Sequence, residues 1–283
     1  MNVFEKLAVY LQLDFVQRAL VVGGLISLCC AILGVTLVLK RYSMIGDGLS
    51  HVAFGAMTMA MVLTIADMYL MLPLTIIVAI LLIRLADKGK VKNDSAIAML
   101  SVGSLAFGYL IVNLFSTSSN ISGDVCSSLF GQSSILTLDT WEVWLCAGLT
   151  IFLLVFFVVF HNKIFGITYD ESFCKATGVK SAVYNNILAI IIGIVVVLAM
   201  KLVGSLLISA LIVFPALSAI RLFKSYKKVI IFASIIGVIN SLIGILVAIL
   251  WDTPVGATIV VVDIFVYFVC WLVDITIRNT KKA

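Results

Sequence analysis

Charge is scarce in this chain. Only 12% of its 283 residues are Asp, Glu, Lys or Arg, about half of the roughly 25% usual in soluble domains. Hydrophobic residues make up 63%, and the mean hydropathy is +1.24. No stretch outside the apolar runs is long enough for a soluble domain of ordinary size. A GxxxxGK[ST] phosphate loop is missing, so the chain cannot cradle ATP alone. Neither an HExxH pair nor a nucleophile beside a base is present, which sets aside an intramembrane enzyme. Six cysteines occur, but Cys29, Cys30, Cys146 and Cys270 fall in apolar runs while Cys126 and Cys174 stand apart in polar breaks. No disulfide framework or zinc spacing emerges from them. The N-terminal segment also lacks the basic start, apolar core and small-residue cleavage site of a secretory signal, and it reads as mature sequence.

What remains is long apolar runs separated by short polar breaks. Each crossing of a bilayer needs about 20 mostly apolar residues. The runs predict an all-α, polytopic membrane protein of eight or nine transmembrane helices, one domain over residues 1–283. Crossings are expected at 19–39, 45–65, 68–86, 95–115, 141–161, 182–200, 203–220, 228–250 and 255–276. The seventh is short and carries Gly204 and Pro215, as a broken or re-entrant helix would. Ahead of the first crossing, Phe4, Leu7, Ala8 and Leu11 give residues 1–16 the pattern of a short interfacial helix.

The few basic residues are unevenly placed. Nine crossings with the N-terminus outside gather Lys40, Arg41; Arg84, Lys88, Lys90, Lys92; Lys163, Lys175, Lys180; Arg221, Lys224, Lys227, Lys228; and Arg278, Lys281, Lys282 on one side. That is 16 of the 19 basic residues, as expected of the cytoplasmic side. Only Lys6, Arg18 and Lys201 fall opposite, and Lys201 reads as a snorkelling side chain or an element of an outer gate. The longest outer connection, 116–140, holds Asp124 and Asp139 but no Lys or Arg. Membrane topology therefore accounts for the net charge of +5, and no nucleic-acid partner is needed. Trp141, Trp144, Trp251 and Trp271 lie near span ends, where interfacial anchors belong.

Against this background the polar groups inside spans stand out. Asp47 and His51 lie one turn apart in the second span and project from one helical face. Asp at the centre of a membrane helix costs roughly 2.5 to 3.5 kcal/mol on insertion scales, so such a pair is a functional candidate. A carboxylate oxygen beside an imidazole nitrogen makes a two-ligand half-site for a divalent cation such as zinc or manganese. The alternative is that Asp47 merely accepts a hydrogen bond from His51 or from a neighbouring helix. Ser43, Ser50, Phe54, Gly55 and Thr58 share the stripe and are candidates to line a polar path. Gly46, Gly48 and Gly55 read as helix-packing positions. Further ligands are needed, from a second copy of the pair or from later spans. Asp263 is the candidate in the last span, although pairing with a Ser, Asn or Lys nearby explains it equally well. Ser209 and Asn240 are expected to form interhelical hydrogen bonds, with Ser209 also a candidate pathway residue beside Ser50 and Asp263, and His161 is interfacial scaffolding.

The stretch RYSMIGDGLSHVAFGAM, residues 41–57, resembles the signature of the bacterial ABC-3 family of metal-ion permeases. VGSLLISALIVFPALSA (203–219), DTPVGATIVVV (252–262), ITYDESFCKATGV (167–179) and the outer SSLFGQSSILT (127–137) are similar to later segments of that family, in the same order. The resemblance runs from about 15 to 275. Gly48 stands where alanine is commoner, VAFGAM lacks a common proline, and Asp263 occupies a usually apolar position.

This resemblance implies the membrane subunit of an ATP-driven importer for zinc, manganese or a similar ion, with the ion as cargo and no cofactor. Two permease subunits, two cytoplasmic ABC ATPase subunits and an extracellular metal-loaded solute-binding protein would complete it in a bacterial cytoplasmic membrane. It also implies a coupling helix at about 167–180 against the ATPase. There Asp170 suits an N-cap, Glu171 and Lys175 lie in the helix, and Gly178 suits its end. Without the resemblance the segment reads as an ordinary amphipathic connector. A gradient-driven carrier or channel using Asp47 and His51 for protons or a coupling ion is the rival reading. A large-chelate permease would leave a buried Asp and His without use.

Overall fold

The structure, a computed structural model, describes residues 10–87, 93–115 and 140–280, with side-chain positions for all of these except 85–87, 93–94, 201–203 and 206. The expected interfacial helix falls largely outside these residues. So do the outer segment 127–137, Lys88, Lys90, Lys92, Lys281 and Lys282, and the side chain of Lys201.

Apolar sequence becomes helix throughout the described residues. The helices are α1 (Asp14–Leu39), α2 (Ile45–Val62), α3 (Asp67–Asp87), α4 (Asn93–Phe115), α5 (Thr140–Val159), α6 (His161–Tyr169), α7 (Glu171–Ala176), α8 (Ser181–Val203), α9 (Ile208–Leu222), α10 (Tyr226–Trp251) and α11 (Val255–Thr280). Seven of them, α1, α3, α4, α5, α8, α10 and α11, are long and apolar enough to cross a membrane, which makes this a multi-pass membrane chain. The expected eight or nine crossings are reached only by counting α2 and α9. Helix α9 has just 15 residues. Helix α2 carries Asp47, His51 and several small residues, and it packs inside the bundle against α3, α4, α8 and α9 with His51 buried.

Helix α1 is the axis of the fold. It packs against α5, α8, α9 and α10, and its buried face runs from Val16 to Leu37. Ile212 of α9 fills the space that side chains at Gly34 of α1 and Gly46 of α2 would need. A Cβ on Gly34 would overlap the Ile212 carbonyl oxygen, and one on Gly46 would lie 2.7 Å from its Cδ1. Helices α1 and α9 thus approach nearly backbone to backbone while the Ile212 side chain seats against the α2 backbone, as small residues permit in membranes.

Two chain breaks depart from the expected boundaries. The seventh crossing is broken as anticipated, but its helix starts at Ile208 and not at 203. Gly204 has φ 83° and ψ 161°, a combination essentially reserved for glycine, and residues 205–207 form a single 3₁₀ turn. The expected helix over 167–180 is shorter, because Asp170 has extended backbone and divides α6 from α7. Its side chain accepts a hydrogen bond from the Phe173 N–H at 2.9 Å and caps α7. At the other end the Val179 N–H bonds to the Cys174 carbonyl and the Gly178 N–H to the Lys175 carbonyl, with Gly178 at φ +84°. This Schellman closure stops α7 after six residues.

Candidate metal-ion site

Asp47 and His51 come together as their spacing requires. The Nε2 of His51 lies 3.7 Å from Asp47 Oδ1, with side-chain exposures of 8% and 28%. That distance is too long for a hydrogen bond. It is somewhat wider than the roughly 3.4 Å that separates two tetrahedral ligand atoms about 2.1 Å from one ion. The imidazole is enclosed while the carboxylate keeps one open side.

Two hydroxyls orient that carboxylate from other helices. Ser209 of α9 donates to Asp47 Oδ1 at 3.1 Å, and Ser101 of α4 donates to Oδ2 at 3.2 Å. Both carboxylate oxygens are therefore fixed, as outer-shell donors fix metal-binding carboxylates. Ser209 was expected to bond between helices, and Asp47 is its partner. Ser101 was overlooked in the sequence, where a serine in an apolar run looks like a packing residue. Ser50 is completely buried, but its hydroxyl donates to the Asp47 backbone carbonyl at 2.8 Å and not to the carboxylate.

The remaining candidates sort differently. Past His51 the stripe closes: Phe54 and Thr58 are buried against Gly108 of α4, and the Thr58 hydroxyl turns back to the Gly55 carbonyl at 2.8 Å. Among the described residues it lines no open path there. Gly48 and Gly55 face Ile97 and Ser104 of α4 and so serve packing. Asp263 is buried and takes a 2.7 Å hydrogen bond from the Asn240 amide of α10, while its Oδ2 has no hydrogen-bond partner among the described residues. Among those residues no group of three His, Cys, Asp or Glu side chains could hold a metal.

A second polar cluster lies on the face rich in basic residues. Glu171 of α7 pairs with Lys175 at 2.7 Å and lies 4.0 Å from Lys40, the residue that caps α1. Asn185 of α8 donates to Glu171 Oε2 at 3.2 Å and accepts from Lys40 Nζ at 2.7 Å. Burial alone would raise the Glu171 pKa, but the Lys175 hydrogen bond, the Lys40 charge and the Asn185 amide hold it below the usual glutamate range. One carboxylate thereby joins α7 to both α1 and α8. Lys40 and Asn185 were not singled out in the sequence.

Comparison with known proteins agrees with this architecture. The chain is 26% identical over 261 residues to the manganese transport system membrane protein MntC of Halalkalibacterium halodurans, covering 92% of this chain and 86% of that protein. It is 25% identical over 268 residues to the manganese import system permease protein ScaB of Streptococcus gordonii, covering 95% and 94%. The solved structure of PsaBC from Streptococcus pneumoniae in complex with Fab has the same fold, with a TM-score of 0.82, 24% identity and 95% of both chains covered. The profile of the ABC 3 transport family matches residues 12–274, nearly the full length, and the chain belongs to that family.

Proposed function

We propose that this chain is the permease subunit of an ATP-driven importer that passes a divalent metal ion across the bacterial cytoplasmic membrane at Asp47 and His51. The carrying observation is the 3.7 Å separation of Oδ1 and Nε2, with both carboxylate oxygens already oriented by Ser101 and Ser209. A carboxylate and an imidazole suit manganese, zinc and ferrous iron. Relatives named for manganese transport favour manganese as the first cargo to test. For Nε2 to offer its lone pair, the imidazole proton resides on Nδ1, which is buried without a hydrogen-bond partner among the described residues.

One such pair is half a coordination shell. A second permease copy across a dimer axis supplies the rest, an extracellular solute-binding protein delivers the ion, and lipid surrounds the assembly. Energy comes from cytoplasmic ABC ATPase subunits, a reading that membership of the ABC 3 transport family supports. Helix α7 suits the contact with them. It is capped at both ends and tied through Glu171 to α1 and α8, so a push on α7 reaches two long helices. The distribution of Lys and Arg supports an outside N-terminus and a cytoplasmic C-terminus.

Membrane vesicles carrying the chain and its partner subunits are the test. ATP-dependent, vanadate-sensitive uptake of radioactive manganese that vanishes in Asp47→Ala and His51→Ala is expected. Uptake that survives without ATP but collapses with an ion gradient would overturn the reading and assign a gradient-driven carrier.

A further inference from the structure

A groove of about 620 Å³ opens on the flank of the bundle between α1, α5 and α10. Its walls are apolar, with Ile32 of α1, Phe157 of α5 and Ile231 of α10 facing the space. Its polar side chains are His161, Asn162, Lys227 and Ser234. The Ser234 hydroxyl is already spent on the Ile230 carbonyl of its own helix at 2.8 Å. The other three gather at one end, where α5 passes into α6 and α10 begins, on the face rich in basic residues. From Lys227 to Ile235 the groove follows α10 for about 12 Å at 1.5 Å per residue. One leaflet of the hydrocarbon core is about 15 Å deep.

We propose that this groove is a binding site for an anionic phospholipid of the leaflet on the Lys-rich side. One acyl chain lies along α10 between Ile32, Phe157 and Ile231, and the headgroup phosphate meets Lys227 and Asn162. Shape and charge select this occupant. The slot is one leaflet deep, apolar along its length and cationic only at its mouth. The groove also lies on α1, α5 and α10, whereas Asp47 opens from α2 between α4 and α9. A lipid here leaves the ion site accessible.

The full chain, purified with its partner subunits and placed in nanodiscs, tests this with diazirine-tagged phosphatidylglycerol and phosphatidylcholine analogues. Labelled residues are then mapped by mass spectrometry. The phosphatidylglycerol probe is expected to label the segments around Phe157 and Ile231 several-fold more than the phosphatidylcholine probe. Lys227→Gln should remove about fivefold of that labelling, the factor one lysine contributes near an anionic surface. Lys227→Arg should keep it, and labelling of the exposed face of α4 should not change. Equal labelling by both probes, or no response to Lys227→Gln, would overturn the site. A disulfide between two copies carrying Ile231→Cys would also overturn it, by making the groove a seat for a second chain.

Discussion

The Ser209 hydroxyl sits 3.1 Å from Asp47 Oδ1 and bridges 162 positions of sequence. Helix α9 begins only one residue before Ser209, after the break at Gly204. The orientation of the candidate ligand is thus set by the start of a short, interrupted helix. Ser209→Ala and Ser101→Ala are each expected to weaken manganese uptake through a higher apparent KM, by about 10-fold or somewhat more, the usual cost of losing an outer-shell partner. Uptake kinetics in vesicles decide it, and unchanged KM in both variants would separate the serines from the ion.

Removing a ligand itself should cost more. Asp47→Ala and His51→Ala are expected to lower uptake by more than about 100-fold, beyond the range of outer-shell losses, while the protein stays inserted and assembled. Uptake assays paired with quantitative membrane blots measure both. Full transport in either variant would remove that residue from the ion path.

Asp263 makes the opposite case. Its carboxylate is paired with Asn240 inside the bundle, so Asp263→Asn is expected to leave manganese affinity unchanged. Asn240→Leu leaves the carboxyl buried without its partner, and lost stability of about 1 to 3 kcal/mol follows from leaving such a group unsatisfied. Thermal unfolding in detergent and vesicle uptake read the two outcomes. A transport defect in Asp263→Asn with unaltered melting would move this residue into the path.

Coupling should fail before folding does in the α7 cluster. Glu171→Gln and Lys40→Met are expected to leave ATP hydrolysis by the assembled transporter running while metal uptake falls. The ratio of ions moved to ATP consumed is the readout. A normal ratio in both variants would detach α7 from the coupling role.

Glu171 also predicts a pH dependence. Its folded pKa is depressed, so its stabilising effect is fully present above the ordinary unfolded value of about 4.3. It disappears as pH falls through the lower folded value. Melting temperatures from pH 7 to 3 should fall more steeply at the acid end for the native chain than for Glu171→Gln. Parallel curves would show that the pairing contributes nothing.

The long helices could be read in advance because each is an apolar run with a polar break at either end. Asp47 and His51 were legible for a related reason, since charge and imidazole are rare in such runs and their spacing fixes a shared face. Ser101 was not. A hydroxyl in an apolar helix is common, and only the fold reveals that it meets a carboxylate 54 positions away. Lys40 and Asn185 were likewise separated, with 145 positions between them, and nothing in the sequence joins either to Glu171, which reads only as part of the candidate coupling helix. The true start of α9 was hidden because Gly204 is compatible with helix, turn or break, and its positive φ becomes visible only in three dimensions.

Ile212 has a mechanical consequence. With no side chain on Gly34 or Gly46 to cushion it, α9 rests directly on both α1 and α2 and works as a wedge between them. Tilting α1 from its Lys40 end displaces that wedge, and the wedge carries the serine that steers Asp47. Filling either notch with a larger side chain would push α9 off its neighbour and shift the hydroxyl that orients Asp47.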